Sequence, residues 1–219
     1  MDSSIGLLSN VATLVTIFMF LCPFNECRTA LQTRTLSPSF NILPYVTTAM
    51  TSTLWFTYGL MTEQPPLVRV NIVGIVLEVA YSAIFFRIAR TNKNAKILVG
   101  ALAFTFSVLA LTYIVEPPEF AIQLLGLVCC SVNIICFASP LAAAKEVIRT
   151  KSTESLPPFV VQVSMFFTPL LWFFYAYLID DTFQKIPNGL GALLGLFSMY
   201  LRYKYKQGKS RNDYLPLGA

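Results

Sequence analysis

Four side chains suited to binding a neutral molecule recur at one spacing in this sequence. Asn188 follows Asn71 by 117 positions, and Trp172 follows Trp55 by the same 117 positions. An amide both donates and accepts hydrogen bonds, whereas an indole offers a flat apolar wall with one N–H. Two of each could hold an uncharged ring that has polar groups at its edge and apolar faces.

The residues give no sign of catalysis. The chain has no histidine, and its sequence shows no nucleophile paired with a base, no metal-ligand cluster and no glycine-rich phosphate loop. Its five cysteines form no C-x-x-C pair, and we expect free thiols. We therefore predict that the protein is not an enzyme and binds neither a metal nor a cofactor.

The composition indicates that these side chains belong to a membrane protein. Only 12% of the 219 residues are charged and 55% are hydrophobic, whereas soluble domains carry about 25% charged residues. Each of seven apolar runs is about 20 residues long, enough to cross a ~30 Å hydrocarbon core as a helix. The predicted spans lie near residues 5–24, 40–60, 68–88, 97–115, 121–143, 159–179 and 186–203.

The basic residues predict the orientation of the chain. They form short clusters between the apolar runs rather than one patch, so the net charge of +5 points to lipid and not to nucleic acid. With the N-terminus outside, fourteen of the sixteen basic residues face the cytosol, and only Arg69 and Lys185 do not. The positive-inside rule thus predicts an extracellular or luminal N-terminus and a cytosolic C-terminus.

The spacing of 117 extends beyond the four binding candidates. It also relates Pro23 to Pro140 and Gly74 to Gly191, and it relates the stretch LWFTYGL (54–60) to LWFFYAY (171–177). Spans 1–3 and 5–7 therefore form two copies of one unit, and span 4, which has no partner, returns the second copy to the starting side of the membrane. Two parallel repeats are typical of transporters with a substrate site at the repeat interface.

The predicted fold is all-α. It is a polytopic membrane protein of seven transmembrane helices, arranged as two parallel three-helix bundles joined by a linker helix (3+1+3). The predicted segments are 1–92 for the first repeat, 93–117 for the linker helix, 118–206 for the second repeat and 207–219 for a cytosolic tail.

Motifs in both repeats resemble one family. They are CPF (22–24) with ASP (138–140), TRTLSPSFNILPY (33–45) with TKSTESLPPF (150–159), and VNIVG (70–74) with PNGLG (187–191), besides the two tryptophan motifs. From about residue 5 to 206 the chain resembles the SWEET sugar transporters of the MtN3/saliva and PQ-loop group. The resemblance implies facilitated uniport of mono- or disaccharides by alternating access.

The resemblance also implies roles for individual residues. The implied sugar pocket comprises Asn71, Asn188, Trp55, Trp172, Thr51, Thr168, Thr16, Met19, Asn133 and Cys136. The implied hinge prolines are Pro23, Pro44, Pro140 and either Pro157 or Pro158, and the implied outer gate is Tyr58 with Asp181. Family members form homo-oligomers, and the resemblance extends that expectation to this chain.

Each implied role has a structural alternative. Span tryptophans are often interfacial belt residues, and span asparagines often join helices. The prolines could simply end helices, and Tyr58 and Asp181 could be an interfacial tyrosine and a solvated loop aspartate. In favour of a pocket, Thr51, Trp55 and Tyr58 share one helix face at i, i+4 and i+7, as do the three residues 117 positions later.

Glu78 is the only carboxylate well inside a predicted span. A carboxylate at that depth suggests the hypothesis that transport is coupled to protons. A proton relay needs more than one titratable group, however, and no second acid within the predicted spans accompanies Glu78. We therefore favour a protonated or hydrogen-bonded structural role.

Three further expectations follow from the sequence. The alternative functions are a proton-coupled PQ-loop amino-acid transporter and, more distantly, a seven-helix receptor. We expect a plasma-membrane location, with vacuolar and Golgi membranes as alternatives, and note a Y-x-x-hydrophobic sorting match at YLPL (214–217). Met19, longer than the valine common in the family at that position, predicts a preference for hexoses over sucrose.

Overall fold

The architecture is wholly helical where it is described. The computed structural model describes residues 3–36 and 40–205, so the tail at 207–219 and its YLPL motif lie outside the described residues. The helices are α1 Ser3–Leu21, α2 Phe24–Thr33, α3 Leu43–Met61, α4 Pro65–Ile88, α5 Asn92–Ile114, α6 Pro118–Cys136, α7 Ala138–Thr150, α8 Phe159–Leu178 and α9 Thr182–Tyr205. The predicted all-α class is confirmed.

Two of the predicted spans continue further than the apolar pattern indicated. Spans 1 and 5 were predicted to end near residues 24 and 143, but helical structure runs on to Thr33 and Thr150. Each continues as a second helix after a short break, at Cys22–Pro23 between α1 and α2 and at Phe137 between α6 and α7. The extensions are more polar than the spans, and apolarity therefore could not reveal them.

Five helical stretches within the described ranges are long and apolar enough to cross a membrane. They are Ser3–Thr33, Pro65–Ile88, Asn92–Ile114, Pro118–Thr150 and Phe159–Leu178. The other two predicted spans, α3 and α9, are helices of 19 and 24 residues with more polar sequences. Polar residues inside a membrane usually face protein or a water-filled cavity. The lower apolarity of α3 and α9 therefore suits helices that face other helices or such a cavity.

The chain divides into two compact units after Val132, inside α6. In the first unit, α4 packs against α1, α2 and α3, and α5 packs against α3. In the second unit, α9 packs against both α7 and α8. The third helix of each predicted repeat, α4 or α9, thus lies between the other two.

Local contacts recur at the same spacing of 117 residues. Arg34 ends α2 in the left-handed region with φ 57°, and Lys151 ends α7 with φ 58°. Glu63 and Asp180, which follow α3 and α8, have φ values of 53° and 56°. A left-handed conformation is unusual for residues other than glycine, and its recurrence at equivalent positions indicates one turn design used twice.

Close helix crossings recur as well. A Cβ on Gly74 would lie 2.6 Å from Ser52 Oγ and 2.9 Å from the Phe20 ring. A Cβ on Gly191 would lie 3.2 Å from Pro169 and 3.4 Å from the Phe137 ring. Ser52 and Pro169 are equivalent positions in the repeat, and so are Phe20 and Phe137. The same three positions therefore meet in both units.

At the α2 end of the first unit, aromatic rings join α4 to α3 and to the residue Phe40 that precedes it. Phe40 lies 4.7 Å from Phe85 between ring centroids, and Tyr45 lies 4.8 Å from Phe85 and 6.3 Å from Tyr81. The Tyr45 hydroxyl donates to Glu26 Oε2 at 3.0 Å. This end of the first unit is held mainly by ring packing, worth about 0.5–1.5 kcal/mol per pair.

In the second unit a polar network replaces that aromatic cluster. Gln162 is fully buried, and its amide donates to the carbonyl and the hydroxyl of Ser198. Arg202 donates to Gln162 Oε1 and to the carbonyl of Pro157. The four positions 157, 162, 198 and 202 are the counterparts of 40, 45, 81 and 85. The two units therefore use the same backbone positions but different chemistry to join the third helix to the second.

We expect Gln162→Ala to destabilise the protein by about 2–3 kcal/mol, because it removes the partner of buried Ser198 and one of the two acceptors of half-buried Arg202. Thermal melting in detergent measures the loss. Ser164→Ala is the matched control, since the Ser164 hydroxyl bonds to Val160 of its own helix. Combining Gln162→Leu with Arg202→Met should cost less than the two single losses added together. Strict additivity would show that the network is not a coupled unit.

Candidate functional site

The first unit holds Trp55 in a buried, fixed position on α3. The indole is 7% exposed, and its ring packs edge-on against Tyr58 at 5.5 Å between centroids with an interplanar angle of 89°. A belt tryptophan at the lipid surface would be more exposed than this. The edge-on tyrosine fixes the plane of the indole, which suits a wall for a flat ligand.

Asn71 is held by its own helix. It is 7% exposed, and its Nδ2 donates to the carbonyl of Leu67, one turn earlier in α4, at 2.8 Å. An asparagine that joined two helices would instead bond across them. The bond uses one amide hydrogen and fixes the rotamer, so that the second hydrogen and the oxygen can serve a ligand.

The remaining predicted site residues of the first unit are half-buried. The Thr16 hydroxyl donates to Ala12 of α1 at 2.8 Å, and the Thr51 hydroxyl donates to Thr48 of α3 at 3.1 Å. Met19 follows Thr16 on the same side of α1 and is also half-buried. Both hydroxyls are thus anchored to the backbone of their own helices.

The second unit reproduces the tryptophan and asparagine geometry closely. Trp172 is 6% exposed and meets Tyr175 edge-on at 5.5 Å and 88°. Asn188 Nδ2 donates to the carbonyl of Gln184, one turn earlier in α9, at 2.9 Å. Because the two amides use the same rotamer-fixing bond, both are pre-positioned before any ligand arrives.

A cavity of about 150 Å³ in the second unit brings two of the predicted residues together. Asn133 of α6 and Asn188 of α9 both line it. Its other lining residues are Phe137, Pro140, Met165, Pro169, Pro187, Gly191, Leu194 and Gly195. The lining contains two amides and no charged side chain, which favours a neutral ligand with hydroxyl or amide groups.

Three prolines from three different helices line this cavity, namely Pro140, Pro169 and Pro187. A proline has no N–H, so it leaves the carbonyl four residues earlier without its usual helical partner. Pro169 does this for the carbonyl of Met165, which itself lines the cavity. Pro169 therefore leaves a backbone acceptor on a residue of the lining, and a count of polar side chains overlooks it.

Other predicted residues of the second unit lie outside this lining. Trp172 and Thr168 are not among the lining residues, and Cys136 is exposed at the end of α6. Sequence reasoning missed Phe137, Met165 and Pro187. The repeat could have identified Phe137, because it follows Phe20 by 117 positions. In the structure both rings lie against the repeated glycine.

The predicted gate aspartate has a structural partner in α9. Asp181 is 9% exposed, accepts from the backbone N–H of Gln184 at 3.1 Å and accepts from Gln184 Nε2 at 2.6 Å. This is the pattern of a helix N-cap. The exposed neighbour is Asp180, where the hydrogen bond from Lys185 at 2.7 Å, together with its positive charge, holds the pKa of the carboxyl below its usual range.

We expect Asp181→Ala to lower stability by about 1 kcal/mol, through loss of the cap. Asp180→Asn is the matched control, because it removes the same charge from an exposed neighbouring position and keeps a side chain that tolerates the left-handed backbone there. It should leave the melting temperature nearly unchanged. Melting curves of both variants in the same detergent make the comparison. Equal effects of the two substitutions would show that charge, and not capping, matters here.

The predicted hinge prolines lie at helix breaks and helix starts. Pro23 lies between α1 and α2, and Pro140 lies in the first turn of α7. Pro44 lies in the first turn of α3, where no backbone N–H is needed. Pro158 is the N-cap of α8, whereas the carbonyl of Pro157 accepts from Arg202.

Glu78 lies buried on α4, 4% exposed, with no hydrogen-bond partner on Oε2 among the described residues. Its counterpart in the second unit is Gly195. A Cβ there would lie 2.7 Å from the carbonyl of Met165 and 2.8 Å from Phe166 Cα. Any side chain at the second position is therefore excluded by α8, and a symmetric pair of acids cannot form.

A polytopic helical protein with recurring pairs of buried aromatic and amide side chains, and a small uncharged cavity, belongs to the class of membrane transporters for neutral solutes. Comparison with known proteins identifies the family. Residues 6–93 and 123–210 match the family described as "Sugar efflux transporter for intercellular exchange" (MtN3/saliva). The chain belongs to this family, the SWEET sugar transporters.

Individual relatives match over nearly the whole chain. The sugar transporter SWEET1 of Drosophila pseudoobscura pseudoobscura is 35% identical over 91% of this chain and 88% of its own length. The bidirectional sugar transporter SWEET7 of Arabidopsis thaliana is 29% identical over 94% of this chain and 81% of its own. A solved eukaryotic SWEET transporter superposes with a TM-score of 0.80 at 28% identity, covering 94% of this chain and 98% of that one.

Proposed function

We propose that this protein transports uncharged mono- or disaccharides across a membrane by facilitated diffusion and alternating access. The observation that carries the proposal is the repeated, pre-positioned pair of Asn71 and Asn188, one of which lines a cavity without charged residues. Hydroxyls both donate and accept, and amides match them. The names of the relatives, which describe sugar transporters, support the same substrate class.

We further propose that the two tryptophans contact the apolar faces of the sugar, while the amides contact its hydroxyls. The threonines at 51 and 168, together with Thr16, Met19, Asn133 and Cys136, would complete the contacts. Tyr58 and Asp181 would close the outer end of the pathway. The hinge prolines Pro23, Pro44, Pro140 and either Pro157 or Pro158 would permit the change between outward-open and inward-open states. The repeat bounds 1–92 and 118–206 belong to the same proposal.

The orientation and the location are also proposals. The distribution of basic residues supports an N-terminus outside and a C-terminus in the cytosol, and we propose the plasma membrane. Epitope tags at the two ends, probed with and without permeabilisation, test both points. Homo-oligomer formation is tested by crosslinking in native membranes.

Sugar flux in proteoliposomes of the purified chain tests the proposal. We expect saturable glucose uptake and glucose efflux, each following the sugar gradient and unchanged by a protonophore. Sucrose should move more slowly than glucose, because Met19 narrows the path. Uptake of amino acids in place of sugars would overturn the function, and equal glucose and sucrose rates would overturn the size argument alone.

Glu78→Gln separates uniport from proton coupling. The amide keeps the shape of the side chain and cannot exchange a proton, so a coupled carrier would lose concentrative uptake. We expect the variant to reach the same final sugar ratio across the membrane as the wild type, at any imposed pH gradient. A wild type that accumulates sugar against its gradient, and a variant that does not, would contradict uniport.

A further inference from the structure

A second cavity lies in the first unit, in a different place from the candidate sugar residues. It is a groove of about 470 Å³ between α3, α4 and α5. Its walls are mostly apolar, with Met50, Phe86 and Leu102 among them. Three alanines, one from each helix, leave the space open: Ala49, Ala83 and Ala101. The predicted second repeat has no counterpart of α5, so this groove belongs to the first unit alone.

One buried hydroxyl in the groove lacks a partner. Ser82 of α4 is 5% exposed, and its Oγ has no hydrogen-bond partner among the described residues. The two other hydroxyls in the lining are satisfied, since Thr53 donates to Ala49 at 2.9 Å and Thr105 donates to Ala101 at 2.8 Å. A buried hydroxyl left unpaired is costly, so Ser82 points to a bound molecule with an acceptor atom.

The groove runs towards a strongly basic turn. On α4 the lining residues Val79, Ser82 and Phe86 form one stripe. The helix ends at Ile88, and Arg90 follows in the turn to α5. Residues 79–115 contain four basic residues and no acidic one. The four are exposed, and none has an ion pair among the described residues: Arg87, Arg90, Lys93 and Lys96.

We infer that the groove binds a glycerophospholipid with an anionic headgroup. The groove supplies apolar walls and a buried hydroxyl, and the turn that follows α4 supplies positive charge. Arg90 faces the phosphate, the Ser82 hydroxyl donates to an ester carbonyl, and the apolar walls hold an acyl chain. A sterol would satisfy Ser82 but would bring no negative charge to Arg90.

Lipid retention by the purified full chain tests this site. The protein in detergent is mixed with dioleoyl phosphatidylglycerol or dioleoyl phosphatidylcholine, and bound lipid is counted by native mass spectrometry. Wild type should retain phosphatidylglycerol in preference. Arg90→Gln should reduce that preference roughly fivefold, since one basic residue contributes about 1 kcal/mol to the attraction of anionic lipid.

Two matched variants make the result specific. Lys96→Gln removes the same charge from the same turn but lies on the opposite side of α5 from the groove lining, so it should keep the preference. Ser82→Ala should weaken retention of the diester lipid and leave a diether phosphatidylglycerol unaffected. Ala101→Trp, which fills the groove, should reduce retention of both headgroups.

Several outcomes would overturn the inference. Equal loss in Arg90→Gln and Lys96→Gln would reduce it to general attraction by a basic surface. Equal retention of both lipids by wild type, or displacement of phosphatidylglycerol by cholesterol, would assign the groove to a neutral lipid. A change of oligomeric state in Ala101→Trp, without a change in lipid retention, would assign it to a second copy of the chain. Melting curves in phosphatidylcholine verify that every variant is folded.

Discussion

Asn188→Ala is expected to reduce glucose flux at least about fivefold while leaving the amount of folded protein unchanged. The amide is fixed by its bond to Gln184 and lines the small cavity of the second unit. Its removal deletes at least one hydrogen bond to a sugar hydroxyl and leaves that hydroxyl unpaired in a desolvated place. Such a loss is worth about 1–3 kcal/mol, or roughly five- to 150-fold in affinity.

Asn71→Ala should act in the same direction and with similar size, because its amide has the same geometry on α4. The matched control is Asn10→Ala, which removes an amide from an exposed position of α1. Flux is measured in proteoliposomes with equal protein content, and glucose binding is measured separately by equilibrium dialysis. Normal flux in both asparagine variants would remove the pocket assignment while leaving the family membership untouched.

Among substitutions of helical glycines, Gly195→Ala is expected to have the largest effect on stability. The new Cβ would lie 2.7–2.9 Å from the backbone of Met165 and Phe166 in α8. Backbone atoms cannot rotate away as a side-chain end can, so the two helices must separate. Overpacking of this kind typically costs about 1–3 kcal/mol, which corresponds to a melting temperature lower by about 2–12 °C in a chain of this size.

Two other helical glycines calibrate that result. Gly100 of α5 has no atom within 4 Å of an added Cβ, so Gly100→Ala should be neutral or slightly stabilising through helix propensity. Gly191 is intermediate, with Pro169 at 3.2 Å. Melting curves that follow the order Gly195, Gly191, Gly100 would support the crossing geometry. A neutral Gly195→Ala would show that α8 and α9 are more loosely packed than described.

The asymmetry between the two units matters for both predictions. The second unit has Pro169 inside α8 where the first has Ser52, and it has Gly195 where the first has the buried Glu78. Its third helix is joined to the second by an arginine–glutamine–serine network instead of by aromatic rings. We therefore expect substitutions in the second unit to affect stability more through polar groups, and those in the first more through ring packing.

Much of this architecture could be predicted from the sequence. Hydrophobic runs of about 20 residues located all seven helical spans, because the bilayer fixes the length of a spanning helix. The repeat of 117 identified which positions are equivalent, and Trp55, Trp172, Asn71 and Asn188 adopt matching local geometry in the structure. Hydropathy did not predict the breaks at Pro23 and Phe137 or the continuation of helical structure to Thr33 and Thr150, because the extensions are too polar to read as part of a span.

The sequence by itself determined the helical class, the equivalence of the two repeats and the types of side chain that recur. Those properties depend on local composition and on spacing along the chain. Only the tertiary structure decided that Met165, Pro187 and Phe137 line a cavity with Asn188, that Arg202 reaches Pro157, and that Ser82 is buried beside an open groove. These are contacts between different helices, and they depend on how the helices cross and on the space that their small residues leave. Hydropathy and helical period contain no information about either.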